Sequence, residues 1–273
     1  MPNAKVNGVD LYYELEGSGE PLALVHGGWA DATSWRFVVP GLAERFRVLV
    51  YDRRGHSRSE RPASAVRIDD DGDDLAALLE ALELAPVHVA TISYGGNIAL
   101  RLATRRPGLF RSLCCHEPPL WGVLDDDAEA QRLLAQDLGS IEPVARRIAE
   151  GDHEGAARQF VEEVIMGPGA WENALPAETR AIMVQNAPTF LDILQDPNAT
   201  AVDAGALAAL AMPVRFTEGT ESPPVHTRVI DRLVELIPGA AREVIEGAGH
   251  VPQLTTPERY VAATTRAAQH ASV

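Results

Sequence analysis

The stretch VHVATISYGGNIAL, Val87 to Leu100, decides the fold. An apolar run rich in β-branched residues ends at Ile92. Ser93 follows, then Tyr94-Gly95-Gly96, and then a helical pattern. A turn from strand to helix this tight holds its central residue in a strained conformation with the side chain exposed, and the residues two before and two after it must be small. Gly95 meets that requirement, and Gly96 lets the helix pack close to the sheet. Thr91 stands where glycine is commonest, so the pattern is met imperfectly. A lone serine beside glycines is usually only a turn. The strand before it and the helix after it make Ser93 a candidate nucleophile.

Outward from this segment, short apolar runs bounded by turn residues recur at Pro21–Val25, Phe46–Tyr51, Pro86–Ile92, Leu109–Cys115, Val214–Thr217 and Glu243–Ile245. Continuous rather than alternating, they read as buried strands of a parallel sheet. Asn7-Gly8 is a two-residue hairpin signal leading into a strand over Val9–Glu16. Helical stretches lie between most strands. Leu75, Leu78, Leu79 and Leu82, for example, make one apolar stripe. The alternation predicts an α/β fold with a mostly parallel, doubly wound sheet. It stops after Cys115. From about Leu120 to Leu207 the text is helical, and Ala156, Ala157, Phe160, Val161, Val164 and Ile165 read as one helix face. The expected organisation is a core domain over 1–118 and 210–273, with a helical cap inserted over 119–209.

The chain has 273 residues, 46% of them hydrophobic, enough for a sizeable core. A formal charge of -15 repels phosphates and anionic headgroups, so neither nucleic acid nor a membrane is an expected partner. The only cysteines, Cys114 and Cys115, are adjacent and cannot staple distant parts of a fold. With His116 they also lack zinc spacing, so no metal site is expected. The start MPNAKVNGVD has no apolar core of the signal-peptide kind, and no apolar run reaches membrane-spanning length. A cytoplasmic location is the expectation. The run Asp69-Asp70-Asp71-Gly72-Asp73-Asp74 fails the calcium-loop pattern, because the sixth position holds Asp74 rather than glycine. It reads as the acidic start of a helix, which the helix dipole favours.

Two further segments complete a candidate site. LALVHGGWAD, Leu22 to Asp31, is an apolar strand ending in His26-Gly27-Gly28, where glycines let backbone N–H groups approach a ligand. The N–H groups of Gly28 and Tyr94 are candidates for an oxyanion hole. His26 reads as structural. VIEGAGHVPQL, Val244 to Leu254, puts His250 in a glycine-flanked loop after the last strand, a candidate general base.

Together these segments resemble the α/β-hydrolase superfamily. Supporting matches are Tyr51-Asp52-Arg53-Arg54-Gly55-His56-Ser57 and Pro252 after the histidine. The resemblance covers about residues 4–116 and 213–265. It implies a hydrolase with a Ser-His-acid triad, requiring no metal or organic cofactor, and a pocket between the strand ends and the cap. In most members the acid follows the penultimate strand. Here that region reads PVRFTEGTESPP, Pro213 to Pro224, and the expected position holds Ser222, which supplies no charge. Glu221 is one residue away. Glu117, in LCCHEPPL, sits where zearalenone-type lactone hydrolases carry a Glu in a similar Cys-His-Glu-x-Pro setting, matched here by Cys115, His116, Glu117 and Pro119. That resemblance favours Glu117 as the acid, with Glu221 as the alternative and an enzyme without an acid as the third reading.

Trp29, Trp121, Met166, Trp171, Met183, Phe190 and Leu191 are candidates to line the pocket. They point to an apolar small-molecule ester or lactone, with a zearalenone-like macrocyclic lactone the first to test. Rival readings on the same fold are a C–C bond hydrolase, a cofactor-free perhydrolase or oxygenase, and a ligand receptor with little turnover. The oligomeric state is not set by the sequence.

Overall fold

The computed structural model describes residues 2–201 and 203–269; the expected domain ends at 1 and 270–273 lie outside them. Eight strands form one sheet: β1 (Asn3–Val6), β2 (Val9–Glu16), β3 (Glu20–Val25), β4 (Phe46–Tyr51), β5 (Val87–Ile92), β6 (Phe110–His116), β7 (Val214–Gly219) and β8 (Ala241–Ile245). Their spatial order is β1-β2-β4-β3-β5-β6-β7-β8. β1 and β2 pair antiparallel, as do β2 and β4; from β4 to β8 every pairing is parallel. Asn7 and Gly8 both have positive φ, 46° and 83°, as the two-residue hairpin turn requires.

Every strand read from the sequence is present. One expectation needs correcting. β8 is not buried; alternate residues face solvent and Val244 is 50% exposed. It is the last strand of the sheet, with a neighbour on one side only, so its pattern alternates where the inner strands are continuous.

Helices cover both faces. On one side α2 (Ile68–Ala81), α3 (Tyr94–Arg105) and α10 (Pro224–Leu236) pack against Ala23, Val25, Val89, Leu113 and Cys115. On the other, α1 (Val39–Ala43) and α12 (Pro257–Gln269) pack against Leu22, Leu24, Ala90, Ile92 and Cys114. The short α11 (Pro252–Thr255) precedes α12. The adjacent cysteines thus enter opposite cores, because successive strand residues point to opposite faces; both are free.

The acidic run opens α2, as expected, and also docks it. Asp71 pairs with Arg53 at 2.8 Å, Asp74 with Arg54 at 2.6 Å, Asp69 with Arg101 at 2.7 Å and Asp73 with Arg105 at 2.8 Å. The Arg53–Asp71 pair is almost fully buried.

Between β6 and β7 the described residues are helical, with no strand: α4 (Ala128–Leu138), α5 (Ile141–Ala149), α6 (His153–Phe160), α7 (Ala170–Asn173), α8 (Ala177–Gln195) and α9 (Ala204–Ala208). α6 runs into a π-helical turn over Val161–Ile165, closed by Met166 N–H donating to the Val161 carbonyl at 2.8 Å. The insertion is tied to the sheet region through Asn186, which accepts from Ser57 N–H at 2.9 Å and donates to the Ala30 carbonyl at 3.1 Å. Asp196 adds a bond from Ile68 N–H at 2.8 Å. Among the described residues no helix is long and apolar enough to cross a membrane.

Candidate active site

The connection from β3 runs to β4 on one side, whereas β5 pairs with β3 on the other. Such a reversal of strand order opens a crevice at the carboxyl ends of the strands. Residues after β3 and β5 meet there.

Ser93, after β5, has φ 52° and ψ -128°, a conformation that costs about 1–3 kcal/mol and persists only when its surroundings enforce it. They do so at two points. Ser93 N–H donates to the His116 carbonyl at 2.9 Å, and its own carbonyl accepts from Gly96 N–H at 2.8 Å. The helix start then comes so close to β3 that a Cβ on Gly95 would lie 2.2 Å from the Val25 carbonyl oxygen; no other residue fits. Thr91, the imperfect match, is accommodated by Gly96, where an added Cβ would sit 3.2 Å from the Thr91 hydroxyl.

The loop after β3 is held from outside. The Gly27 carbonyl accepts from Arg53 Nη2 at 3.2 Å and from His26 Nδ1 at 2.9 Å. In a trans peptide the N–H points opposite to the carbonyl, so these bonds orient the Gly28 N–H. The Ser93 carbonyl bond orients the Tyr94 N–H in the same way. His26 is fully buried, and its Nε2 accepts from Arg53 N–H at 3.0 Å. Its Nδ1 therefore carries the proton. Burial and the charge of Arg53 keep its pKa well below the usual histidine value. His26 is a neutral strut.

Glu117, one residue past β6, is fully buried, with φ 43°. Its Oε1 accepts from Gly219 N–H at 2.8 Å, and its Oε2 lies 2.7 Å from His250 Nδ1. Burial alone would raise this carboxyl. The imidazole of His116 and the hydrogen bond and charge of His250 outweigh it and hold Glu117 well below the usual carboxylate range. His116 braces the pair: its Nδ1 meets Thr217 Oγ1 at 3.0 Å and its Nε2 meets the Gly249 carbonyl at 3.3 Å. Burial pushes its pKa down to about 4. Glu221 lies on the exposed turn after β7, with its N–H bonded to the Ala248 carbonyl. The structure brings Glu117, and not Glu221, to His250.

Ser93, His250, Gly28 and Tyr94 all line one cavity of about 360 Å³. Among the described residues no hydrogen bond joins Ser93 Oγ to His250; such bonds often tighten only once substrate is in place. Five of the seven proposed lining residues are there: Trp29, Trp121, Met166, Met183 and Phe190. Two are corrected. Trp171 is buried in the apolar core of the insertion, and Leu191 packs against that same core instead of lining the cavity. The expected helix face also splits. Ala156 and Ala157 enter only the insertion core, Phe160 and Val161 touch both that core and the cavity, and Val164 and Ile165, on the π-turn, reach the cavity.

The sequence reading missed His226. It lies in the first turn of α10, lines the cavity, and stacks on His250 with ring centroids 4.7 Å apart. Burial, with the nearby His250, lowers its pKa to about 3. The Pro-Pro pair at a helix start gives its element, but no local pattern gives its neighbour.

Residues 20–257 match the family described as alpha/beta hydrolase fold. A putative carbamate hydrolase of Azorhizobium caulinodans is 28% identical over 263 residues, covering 94% of each chain. An uncharacterised hydrolase of Bacillus subtilis, YraK, is 37% identical over 122 residues; the match spans 44% of this chain and 45% of that one. Among solved structures, Est816, described as an N-acyl homoserine lactone degrading enzyme, superposes with a TM-score of 0.76 at 25% identity, covering 97% of this chain and 99% of that one.

Proposed function

The chain belongs to the alpha/beta hydrolase fold family, and on that premise we propose that it hydrolyses a hydrophobic carboxylic ester or lactone through an acyl-enzyme on Ser93. The observation that carries this reading is the buried 2.7 Å pairing of Glu117 with His250 at a cavity that Ser93 also lines. His250 Nδ1 is committed to Glu117, which leaves Nε2 as the base. Ser93 Oγ attacks the carbonyl carbon while His250 Nε2 takes its proton. The oxyanion is stabilised by the N–H groups of Gly28 and Tyr94. The imidazolium then protonates the leaving alkoxide. Water, deprotonated by His250, attacks the acyl-enzyme and releases the acid and Ser93. Glu117 stays ionised throughout, in keeping with its depressed pKa, and stabilises the imidazolium.

The substrate class follows from the walls. Trp29, Phe160 and Phe190 cluster with centroids 4.8–5.1 Å apart, and Ile165, Met166 and Met183 add further apolar surface. An acyl chain or aromatic ring fits these walls. The lactone named for Est816 and the Cys-His-Glu-x-Pro setting both favour a lactone, the latter a macrocyclic phenolic one.

The test is a panel of p-nitrophenyl esters of rising chain length, acyl homoserine lactones, a resorcylic macrocyclic lactone, a carbamate and a C–C-cleavable diketone, run beside labelling by a fluorophosphonate. Sustained ester or lactone turnover with Ser93 labelled supports the reading. Labelling without turnover of any substrate overturns it in favour of a receptor.

A further inference from the structure

We propose that Glu117, His226 and His250 together form a site for a divalent transition-metal ion of the zinc type, and that its occupancy shuts the catalytic centre down. One ligand atom from each residue lies within 4.8 Å of the other two. The three come from separate places in the chain: the residue after β6, the first turn of α10 and the loop after β8. Each is at least nine-tenths buried, at 0%, 8% and 8% exposure respectively.

His226 is the residue that points to a ligand. Its Nδ1 is buried without any hydrogen-bond partner, and its side chain bonds to no other described residue. Buried polar atoms are nearly always paired. This imidazole is packed between His250, at 4.7 Å, and Trp121, at 5.5 Å, both through ring contacts. The triad chemistry proposed above makes no use of it.

The donor set is two imidazole nitrogens and one carboxylate oxygen. That mixture suits zinc, copper or nickel rather than magnesium or calcium, which take oxygen ligands. Tetrahedral ligands on bonds of 2.0–2.1 Å stand about 3.3 Å apart. Side-chain shifts on the order of 1 Å would close the present cluster onto an ion, with the fourth position facing the cavity. Binding forms three dative bonds and changes no oxidation state. If His250 binds through Nδ1, that nitrogen's proton passes to solvent and the bond to Glu117 breaks. If it binds through Nε2, the base can no longer accept a proton from Ser93. Either mode stops hydrolysis. The inhibition rests on the function proposed above; the binding does not.

The experiment titrates ZnCl2 and CoCl2 into the metal-stripped chain by calorimetry and by cobalt absorption, beside p-nitrophenyl butyrate hydrolysis. We expect one ion per chain, visible cobalt bands of a low-coordinate nitrogen–oxygen site, and inhibition that follows occupancy and is reversed by EDTA. His226→Phe keeps the ring stack and removes the ligand; it should weaken binding by at least the roughly 10–100-fold that losing an outer-shell partner costs and lose the inhibition in step. His226→Gln, which keeps a polar side chain should the first variant fold poorly, must also lose tight binding. No stoichiometric binding to the natural chain, or unchanged affinity in either folded variant, overturns the site. Failure of the metal-free chain to hydrolyse any ester would sink the proposed function and leave calorimetry to decide the metal site.

Discussion

The strand ends and the helical insertion wall the same cavity by opposite means. At the strand ends directional bonds do the positioning: Gly219 N–H and His250 on Glu117, Thr217 and Gly249 on His116, Arg53 on both His26 and Gly27. In the insertion the cavity wall is apolar and aromatic, built from Phe160, Val164, Ile165, Met183 and Phe190. Directional bonds fix atoms to fractions of an ångström, as proton transfer needs. Apolar contact is tolerant of shape, as holding a greasy substrate permits. Changes at the strand ends should therefore remove turnover, and changes in the insertion should retune which substrate is held.

The sharpest break would come from Ser93→Ala. Its kcat should fall by about 10⁴-fold or more, by analogy with nucleophile removal elsewhere; a variant that keeps wild-type turnover ends the proposal. Glu117→Gln should cost about 10³–10⁴-fold in kcat, while Glu221→Gln stays within about twofold. The reverse ranking would move the acid to the turn after β7. Glu117 also makes a stability prediction. Its ordinary value is 4.5 and its folded value is lower, so its contribution is present above 4.5 and is lost as pH falls toward the folded value. In urea titrations, the midpoint gap between the natural chain and Glu117→Gln should be flat near neutrality and narrow below about pH 5.

Arg53→Leu leaves Asp71 buried and unpaired and should cost about 3–5 kcal/mol of stability, measurable by denaturant unfolding. A cost near zero would mean that the strand-end network is not held from behind. The smallest effect belongs to the insertion. Phe190→Ala should raise KM for long-chain esters by about 10–100-fold with kcat little changed. A collapse in kcat there would erase the division of labour between the two regions.

The strand ends were legible in the sequence because their signals are local. A strand, a serine and two glycines state an elbow within ten residues, and apolar runs between turns state the sheet. Glu117 was reachable only through a resemblance, since its bonds to Gly219 and His250 join residues more than 100 positions apart. His226 left no trace because its ring contacts, to His250 and to Trp121, have no local sequence signature. In the insertion, helical periodicity gave the helices but not which part of the apolar face over 156–165 turns to the cavity. It assumes 3.6 residues per turn throughout, and the wider turn at Val161–Ile165 breaks that count. Trp171 was misplaced because a large aromatic ring serves a core as readily as a pocket.

That wider turn has an evolutionary corollary. A π-turn amounts to one extra residue accommodated inside an α-helix. Deleting a single residue from Val161–Ile165 would restore the ordinary winding and narrow the turn without turning the segment that follows, and would redraw the part of the cavity wall that Val161, Val164 and Ile165 supply. One codon gained or lost at this point would redraw the specificity of the chamber while leaving its reactive machinery untouched. Variants differing by that single codon are where a lineage of this chain would be expected to diverge in what it consumes.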